Sequence, residues 1–341
     1  MCHGTGPGGG MQFWSNLEAE LELGRYVWLA MVVSNTRHSP GTWGARMFVS
    51  QTGEMQGTIG GGSMEVELVS QAREAIRQRQ APQIETLVHR KSGEGKKSGM
   101  ICAGEQTNLT MVLGPEHLGT ISDLALLELE DRPGVLRIDS DGCFEVEMTS
   151  QDRPLFSLDI QAESWAYSER IFQWKRIAIM GGGHCGLALS EVMNRLGYVV
   201  SIFDTRANLP TIQDNLWARW LEVVPDYADA AGKLNYAPFT HVVVMTTDMA
   251  GDIEALWGVW KSGRPFPYVG VMGSAAKIRK IRQTLIERGV SEEFLDSLRA
   301  PIGLKMKSNR PEEIAISVAA EILQLRDTLF DEVKWPEAAQ T

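Results

Sequence analysis

The sequence has few of the residues that mark secreted or metal-cluster proteins. Its 341 residues include only four cysteines, and no two of them form a CxxC pair: Cys2, Cys102, Cys143 and Cys185. This scatter argues against a disulfide framework and predicts reduced thiols in a cytoplasm. The six histidines share no ligand spacing, so they predict no metal site.

An excess of positive charge is also missing. The formal net charge is −10, which argues against nucleic acid and gives no support to an anionic membrane partner. No apolar run approaches the length of a membrane span, and no signal-peptide core is visible. With 43% hydrophobic and 22% charged residues, a chain of this length predicts two globular domains with separate cores.

Glycine, by contrast, is abundant, and one glycine turn is the most informative segment. Three glycines in G-x-G-x-x-G spacing follow the apolar run 176–180 and precede an amphipathic stretch: Gly181, Gly183 and Gly186. In such a strand–turn–helix unit they permit the tight turn, the approach of a pyrophosphate and close helix–strand packing. The start of the helix favours an anion, and His184 in the turn is a candidate contact.

A second apolar run, 199–203, ends in Asp204, where nucleotide-binding units of this kind place the acid that binds a ribose hydroxyl. The strand, helix and acid in this register predict a nucleotide-type site. Asp204 favours NAD over NADP, although Arg206 weakens that preference. The sequence therefore allows NAD(P) as a ligand.

A second glycine loop opens another predicted helix. Gly60, Gly61 and Gly62 precede Ser63 and Glu65. We expect the loop backbone to bind phosphate or another anion, with Ser63 as helix N-cap and further donor. The alternative is a tight turn that needs glycine for its positive φ angles. Glu65 is either an acid–base group or a first-turn helix acid.

A third turn, Gly273-Ser274, also follows an apolar run and precedes a basic helix. We expect an anion contact at this turn, assisted by Lys277. Asp248 and Asp252 follow the predicted strand 241–246, and each is either a site acid or a helix cap.

Cys102 is the candidate for metal or sulfur chemistry. Small residues flank it, and the preceding Lys96 and Lys97 favour a thiolate. A thiolate there would bind a soft metal or carry sulfur. The alternative is an ordinary buried small side chain, and the sequence leaves both interpretations open.

The order of these segments predicts an α/β fold with an N-terminal mixed α+β domain and a Rossmann-like C-terminal domain with a parallel sheet. The predicted divisions are a disordered tail over 1–12, the first domain over 13–150, a linker over 151–174 and the second domain over 175–341. In the second domain we expect strands at 176–180, 198–203, 221–224, 241–246 and 268–272. The helices between and after them are expected at 186–196, 226–234, 252–262 and 275–288, with a closing helix from Pro311.

Taken together, these motifs resemble the XdhC/CoxI family of xanthine dehydrogenase accessory proteins. The resemblance covers residues 13 to 330. Its motifs are Gly44–Met47, Gly57–Glu65, Cys102, Gly181–Gly186, Asp204–Arg206, Tyr268–Lys277, Pro301–Leu304 and Pro311–Ala315. The chain departs from the family pattern at Gly41, where the family usually has arginine, at Ala103, where it has glycine, and in 246–252, which lacks a common histidine.

The resemblance implies a molybdenum-cofactor chaperone that protects the cofactor, supports its sulfuration and delivers it to an apo xanthine dehydrogenase-type enzyme. Cys102 and Glu65 would then be the chemically active residues, with Cys102 as metal ligand. The three glycine turns, with Ser63, His184, Asp204, Arg206 and Lys277, would bind a molybdopterin or its dinucleotide. A cysteine desulfurase is a candidate second partner. We also expect a homodimer, since soluble proteins often form two-fold oligomers.

We expect the site in a crevice formed by Gly60–Glu65, Cys102 and the 181–186 turn. The main alternative is an NAD(P)-dependent oxidoreductase that uses the Rossmann-like domain, and a third is a structural interaction partner without a ligand. No convincing acid–base and substrate-clamp set supports the oxidoreductase, and the fold alone does not decide function.

Overall fold

The computed structural model describes residues 13–36, 39–88, 104–149, 154–307 and 309–329. The predicted tail over 1–12 and the candidate Cys102 lie outside these residues. The chain divides into two compact units, with the boundary between Phe172 and Gln173. The mixed α/β class, with a Rossmann-like unit after an α+β unit, is confirmed.

The N-terminal unit contains three α-helices and nine strands in its described part. The helices are α1 (Phe13–Glu22), α2 (Gly62–Gln78) and α3 (Leu118–Glu130). The strands are β1 (Val27–Asn35), β2 (Arg46–Ser50), β3 (Met55–Gly57), β4 (Gln83–Val88), β5 (Glu105–Leu113), β6 (Gly134–Asp139), β7 (Phe144–Glu147), β8 (Phe156–Ile160) and β9 (Trp165–Ile171).

These strands form two antiparallel sheets. The first has the order β3-β2-β1-β5-β4, and the second has the order β7-β6-β9-β8. The central strand β1 is buried on both faces, as its nearly unbroken apolar sequence requires.

Alternate residues of β1 supply two cores. Leu29 and Met31 pack with α1, α3 and the second sheet, whereas Trp28 and Ala30 pack against α2 on the opposite face. The first sheet therefore lies between α2 on one face and, on the other, α1, α3 and the second sheet. Its strand ends position the loops described below.

The linker predicted over 151–174 is wrong over 156–171. This segment forms β8 and β9, and β9 pairs with β6 over six residues. β8 alternates apolar and polar residues but is only five residues long, and its side chains are all exposed or half-buried. In β9 the charged Glu169 occupies one of the buried positions, which interrupts the apolar alternation.

The C-terminal unit alternates strands and helices. Its strands are β10 (Arg176–Met180), β11 (Val199–Asp204), β12 (Trp220–Val223), β13 (Thr240–Val244) and β14 (Tyr268–Val271). Its α-helices are α4 (His184–Arg195), α5 (Pro210–Gln213), α6 (Met249–Lys261), α7 (Ala275–Glu287), α8 (Glu292–Ser297) and α9 (Pro311–Leu329).

All five strands are parallel, in the order β12-β11-β10-β13-β14. Numbered within the unit, this is 3-2-1-4-5, the order of a dinucleotide-binding sheet. Arg299 forms a parallel bridge with Gly270 and extends the sheet at the place of a sixth strand. The order reverses between β10 and β13, so the carboxyl ends of these strands border the crevice where such folds bind ligands.

Helices cover both faces of this sheet. α4 and α9 pack on one face around Ile179 and Val243, and α6 and α7 pack on the other around Val242 and Val244. The predicted helix 226–234 is instead a 3-10 helix, Tyr227–Lys233, and the side chain of its N-cap residue Asp226 accepts the N–H of Ala228. In the part of the chain that the structure describes, no helix is both long enough and apolar enough to cross a membrane.

Candidate functional site

The G-x-G-x-x-G glycines of the Rossmann-like unit have three distinct environments. A Cβ on Gly181, whose φ is 122°, would lie 2.3 Å from the carbonyl oxygen of Met245. A Cβ on Gly186 would lie 2.1 Å from the carbonyl oxygen of Gly181, so this glycine lets α4 pack on β10. A Cβ on Gly183 would meet nothing within 4 Å. The first and third glycines are therefore needed for packing, and the second faces open space.

The N-terminus of α4 begins at this open position. Gly183 is the N-cap residue, in extended conformation and without a side-chain cap. The first N–H groups of a helix have no acceptor within it, and they attract anions. His184 is exposed and lies in this first turn, as the sequence predicted. The geometry suits the approach of a phosphate.

Cys185, next in the turn, is partly buried. Burial and the neighbouring charge of Glu312 raise the pKa of its thiol. A thiol with a raised pKa stays protonated at neutral pH and is a poor nucleophile or metal ligand. Cys185 therefore packs rather than reacts.

Asp204 lies at the carboxyl end of β11 with its side chain fully buried. Its Oδ2 accepts the N–H of Gly182 at 2.7 Å and Nη2 of Arg206 at 2.8 Å. Its Oδ1 accepts the backbone N–H of Arg206 at 2.9 Å and Nε at 2.8 Å. Although burial raises the pKa of this carboxyl, these hydrogen bonds outweigh it and hold the pKa below its ordinary value. Asp204 is thus a charged group that fixes the glycine turn from within.

Arg206 lies along this carboxylate in side-on, bidentate geometry. The hydrogen bonds to Asp204 raise its pKa, and the charge of Asp248 acts in the same direction. Arg206 is therefore a permanent cation held at the carboxyl edge of the sheet. The pKa of the neighbouring Tyr227 is raised as well, to about 12, by burial and by the Asp204 charge.

The third glycine turn follows β14. Ser274 is the N-cap of α7, and its hydroxyl accepts the N–H of Lys277 at 3.3 Å. Lys277 Nζ pairs with the fully buried Asp252 and donates to the carbonyl oxygen of Met272 at 3.3 Å. Asp252 also accepts both the N–H and the hydroxyl of Thr246. Lys277 and Asp252 thus join the ends of β13 and β14.

Asp248 is a helix cap: it is the N-cap of α6 and accepts the N–H of Gly251 at 2.8 Å.

A Cβ on Gly273 would lie 2.9 Å from Cδ of Lys277, so the lysine stem covers this glycine. The predicted anion contact at Gly273, Ser274 and Lys277 stays a prediction, and in this structure the lysine charge already has a buried partner.

In the N-terminal unit, Gly60, Gly61 and Gly62 have φ angles of 125°, 70° and 69°. All three are in conformations that side chains rarely adopt, so the turn itself accounts for three consecutive glycines. The chain enters α2 with Gly61 as N-cap. Ser63 is therefore not the N-cap that the sequence predicted, since the helix has already begun at Gly62.

Glu65, in the first turn of α2, accepts hydrogen bonds from the loop that precedes the helix. Its Oε2 accepts the hydroxyl of Thr58 at 2.6 Å and the N–H groups of Ile59 at 2.9 Å and Gly61 at 3.1 Å. Burial raises the pKa of Glu65, but these hydrogen bonds together hold it below the ordinary value. The ionised carboxylate occupies donors of the loop and adds negative charge, so it opposes a second anion there.

Sequence reasoning missed the residue that joins this loop to the preceding turn. The fully buried amide of Gln106 accepts the N–H of Gly41 at 2.9 Å and the Ser39 hydroxyl at 2.9 Å. It donates to the carbonyl oxygen of Ile59 at 2.8 Å. A Cβ on Gly41 would lie 2.3 Å from that same oxygen, so the contact requires glycine at this departure from the family pattern.

The site residues thus form two groups, one in each unit. The first, at the carboxyl edge of the parallel sheet, comprises Gly181, Gly183, His184, Gly186, Asp204, Arg206, Gly273, Ser274 and Lys277. The second, before α2, comprises Gly60, Gly61, Gly62, Ser63 and Glu65. Cys102 lies outside the described residues. Within the described residues, no three His, Cys, Asp or Glu side chains are grouped so as to hold a metal ion.

The fold and the glycine turn define an α/β protein with a Rossmann-like unit. The model of the XdhC Rossmann domain matches residues 177–322, and the model of the XdhC and CoxI family matches residues 21–88. The chain belongs to the XdhC/CoxI family.

Two curated relatives match about half of this chain. YqeB of Escherichia coli K12 is 29% identical over 154 residues, which are 45% of this chain and 27% of YqeB. A Bacillus subtilis 168 protein, named as a probable xanthine dehydrogenase subunit, is 25% identical over 161 residues, which are 47% of this chain and 46% of that protein. The aligned regions thus span less than half the length of either relative.

A solved structure matches nearly the whole chain. It is the crystal structure of a xanthine dehydrogenase from Bacillus halodurans, with a TM-score of 0.69 and 19% identity. The match covers 96% of this chain and 97% of the other. At this identity the similarity concerns the fold.

Proposed function

We propose that this chain is a xanthine dehydrogenase accessory protein that binds and protects the molybdenum cofactor, supports its sulfuration and delivers it to a xanthine dehydrogenase-type enzyme. The observation that carries the proposal is the match of two family models in the order of the two units. The name of the Bacillus subtilis relative supports a partner of the xanthine dehydrogenase type.

The described residues fit the phosphate of a pterin cofactor. Gly183 leaves open space before α4, whose first N–H groups and positive dipole end favour a phosphate. The loop before α2 fits less well, because Glu65 takes two of its N–H groups and carries a negative charge. The Rossmann-like turn is therefore the better phosphate site.

Three residue roles follow from this placement. Gly183 admits the phosphate to the backbone, the N-terminus of α4 binds it, and Asp204 keeps the turn in shape through the N–H of Gly182. Cys102 is proposed for the metal or sulfur end of the ligand. When bound, the cofactor supplies the redox chemistry that the recipient enzyme needs, and the chain supplies binding and shielding.

A cysteine desulfurase as sulfur donor, a homodimer and a cytoplasmic location belong to the same proposal. A carrier without turnover needs no acid–base pair. In this proposal Glu65 holds the loop before α2 by hydrogen bonds and does not act on a substrate. The charged form of Glu65 is its stable form at neutral pH, which suits a role in holding the loop.

The test is the pterin content of the full chain purified from a host that makes molybdopterin. We expect a stoichiometric amount of the fluorescent oxidation product of the pterin, and a reduced amount in Cys102→Ala. Cys143→Ala is the matched control, because Cys143 lies next to the β6–β7 hairpin turn and is not among the site residues. Absence of pterin from the wild-type chain would refute the proposal, and its full retention in Cys102→Ala would remove Cys102 from the site.

A further inference from the structure

Asp204, the acid expected to bind a ribose, has no lone pair left to accept a further hydrogen bond. An ionised carboxylate has about four lone-pair positions. Asp204 receives four hydrogen bonds, from the N–H of Gly182 and from the backbone N–H, Nε and Nη2 of Arg206. Its side chain is also completely buried. A vicinal diol would need to donate its hydroxyl protons to this group, and no lone pair remains to accept them.

Residues of α5 contact the same glycine turn as Asp204. The Thr211 hydroxyl donates to the carbonyl oxygen of Gly182 at 2.5 Å, and a Cβ on Gly182 would lie 2.6 Å from Cγ1 of Ile212. α5 therefore lies directly against Gly182, the glycine whose N–H Asp204 accepts. The next residue, Gly183, faces open space. Asp204 and α5 thus occupy the surroundings of Gly182 and leave the position of Gly183 open.

The guanidinium is held firmly in this position. It bonds Asp204 through two of its nitrogens, and such paired, bidentate contacts are strong and geometrically specific. A ribose that displaced Arg206 would leave the guanidinium without its carboxylate partner. It would also replace charge-assisted hydrogen bonds by hydrogen bonds from neutral hydroxyl groups, which are weaker. The exchange is unfavourable.

We propose that Arg206 determines the ligand specificity of the Rossmann-like unit. By saturating Asp204, it excludes NAD(H) and other ligands whose ribose diol is bound by the acid at the end of the second strand. This inference stands apart from the proposed cofactor, because it concerns the side of the turn at Asp204 and requires no molybdopterin.

The test is a titration of the full chain with NADH, followed by nicotinamide fluorescence. We expect no saturable signal from the wild-type chain at NADH concentrations up to about 1 mM. The affinity for NADH would then be weaker than the usual range for a working cofactor. Arg206→Ala frees two acceptor positions on Asp204 and is expected to bind NADH at least about tenfold more tightly. Adding Asp204→Asn to Arg206→Ala should abolish the gain, because the amide is a poorer acceptor for two hydroxyl groups.

Arg195→Ala is the matched control, since this arginine is exposed on α4 and pairs with Glu191. It removes the same charge and should leave NADH binding unchanged. If Arg206→Ala does not fold, Arg206→Gln tests the same point with a neutral side chain that retains much of the length. Saturable NADH binding by the wild-type chain, or no gain in a folded Arg206 variant, would overturn the inference. Either result leaves the pterin measurement to decide the proposed cofactor separately.

Discussion

At the scale of single residues, Gly183 differs from the glycines around it because nothing crowds it. Gly181 has a positive φ of 122° and lies against Met245, whereas Gly183 has a φ of −72° and an open Cβ position. Alanine is therefore sterically compatible with the fold at 183 but not at 181.

We predict that Gly183→Ala changes the free energy of unfolding by less than about 1 kcal/mol, because its backbone angles suit alanine. Its methyl group should nevertheless obstruct a phosphate, so the purified variant should contain less pterin. Urea unfolding and pterin analysis of the same preparation measure both effects. Gly181→Ala is the comparison and should lose about 2 kcal/mol or more. Full pterin content in a folded Gly183→Ala variant would contradict the assignment of the turn.

Glu65 gives a prediction about pH. Its pKa is lowered in the folded chain, so the carboxylate stabilises the fold above the ordinary pKa of 4.5. That contribution is lost as the pH falls through the lower, folded pKa. We expect the stability advantage of the wild-type chain over Glu65→Gln to be full near neutral pH and to shrink below about pH 4.5.

Urea unfolding of both proteins from neutral to acidic pH measures this difference. Glu67→Gln is the control, because Glu67 is exposed on the same helix. An advantage that stays constant through the acidic range would show that the charge of Glu65 does not hold the loop.

At the scale of elements, the buried amide of Gln106 joins β5 to two loops. Gln106→Ala would leave the N–H of Gly41 and the carbonyl oxygen of Ile59 without their partner in a buried place. Since each such group costs about 1–3 kcal/mol, we predict a loss of about 2–4 kcal/mol in the free energy of unfolding. Gln83→Ala, on an exposed position of the neighbouring β4, should lose much less. Equal losses in the two variants would remove the special role of Gln106.

The elements of the Rossmann-like unit are predictable because buried parallel strands are short apolar runs and glycines separate them from helices. β10, β13 and β14 lie within a few residues of their predicted ranges. β8 and β9 were missed because β8 is only five residues long and because the buried Glu169 interrupts the apolar alternation of β9.

Side-chain partners were the less predictable part of the site. The position of Asp204 at the strand end followed from the motif, but the occupation of its lone pairs depends on the rotamer of Arg206 and on the N–H of Gly182. Gln106 gave no local signal beyond a polar residue at the start of an apolar strand. Pairings between elements distant in sequence are set by tertiary packing, which local pattern does not encode.

At the scale of the whole molecule, two separately cored units each present a glycine turn that opens a helix. The two turns are not equivalent. In the N-terminal unit Glu65 fills the loop with its own charge, and in the C-terminal unit the open Gly183 leaves room beside α4. This asymmetry favours the Rossmann-like unit as the phosphate site of the proposed cofactor.

The most direct test of the central claim is cofactor delivery. The full chain, purified with its pterin, is mixed with a xanthine dehydrogenase-type apoenzyme, and both the pterin content and the activity of the recipient are measured. We predict that pterin leaves the chain and that the recipient gains activity, whereas Gly183→Ala delivers less at equal protein concentration. A recipient that gains no more activity from the loaded chain than from the same amount of free cofactor would contradict the account.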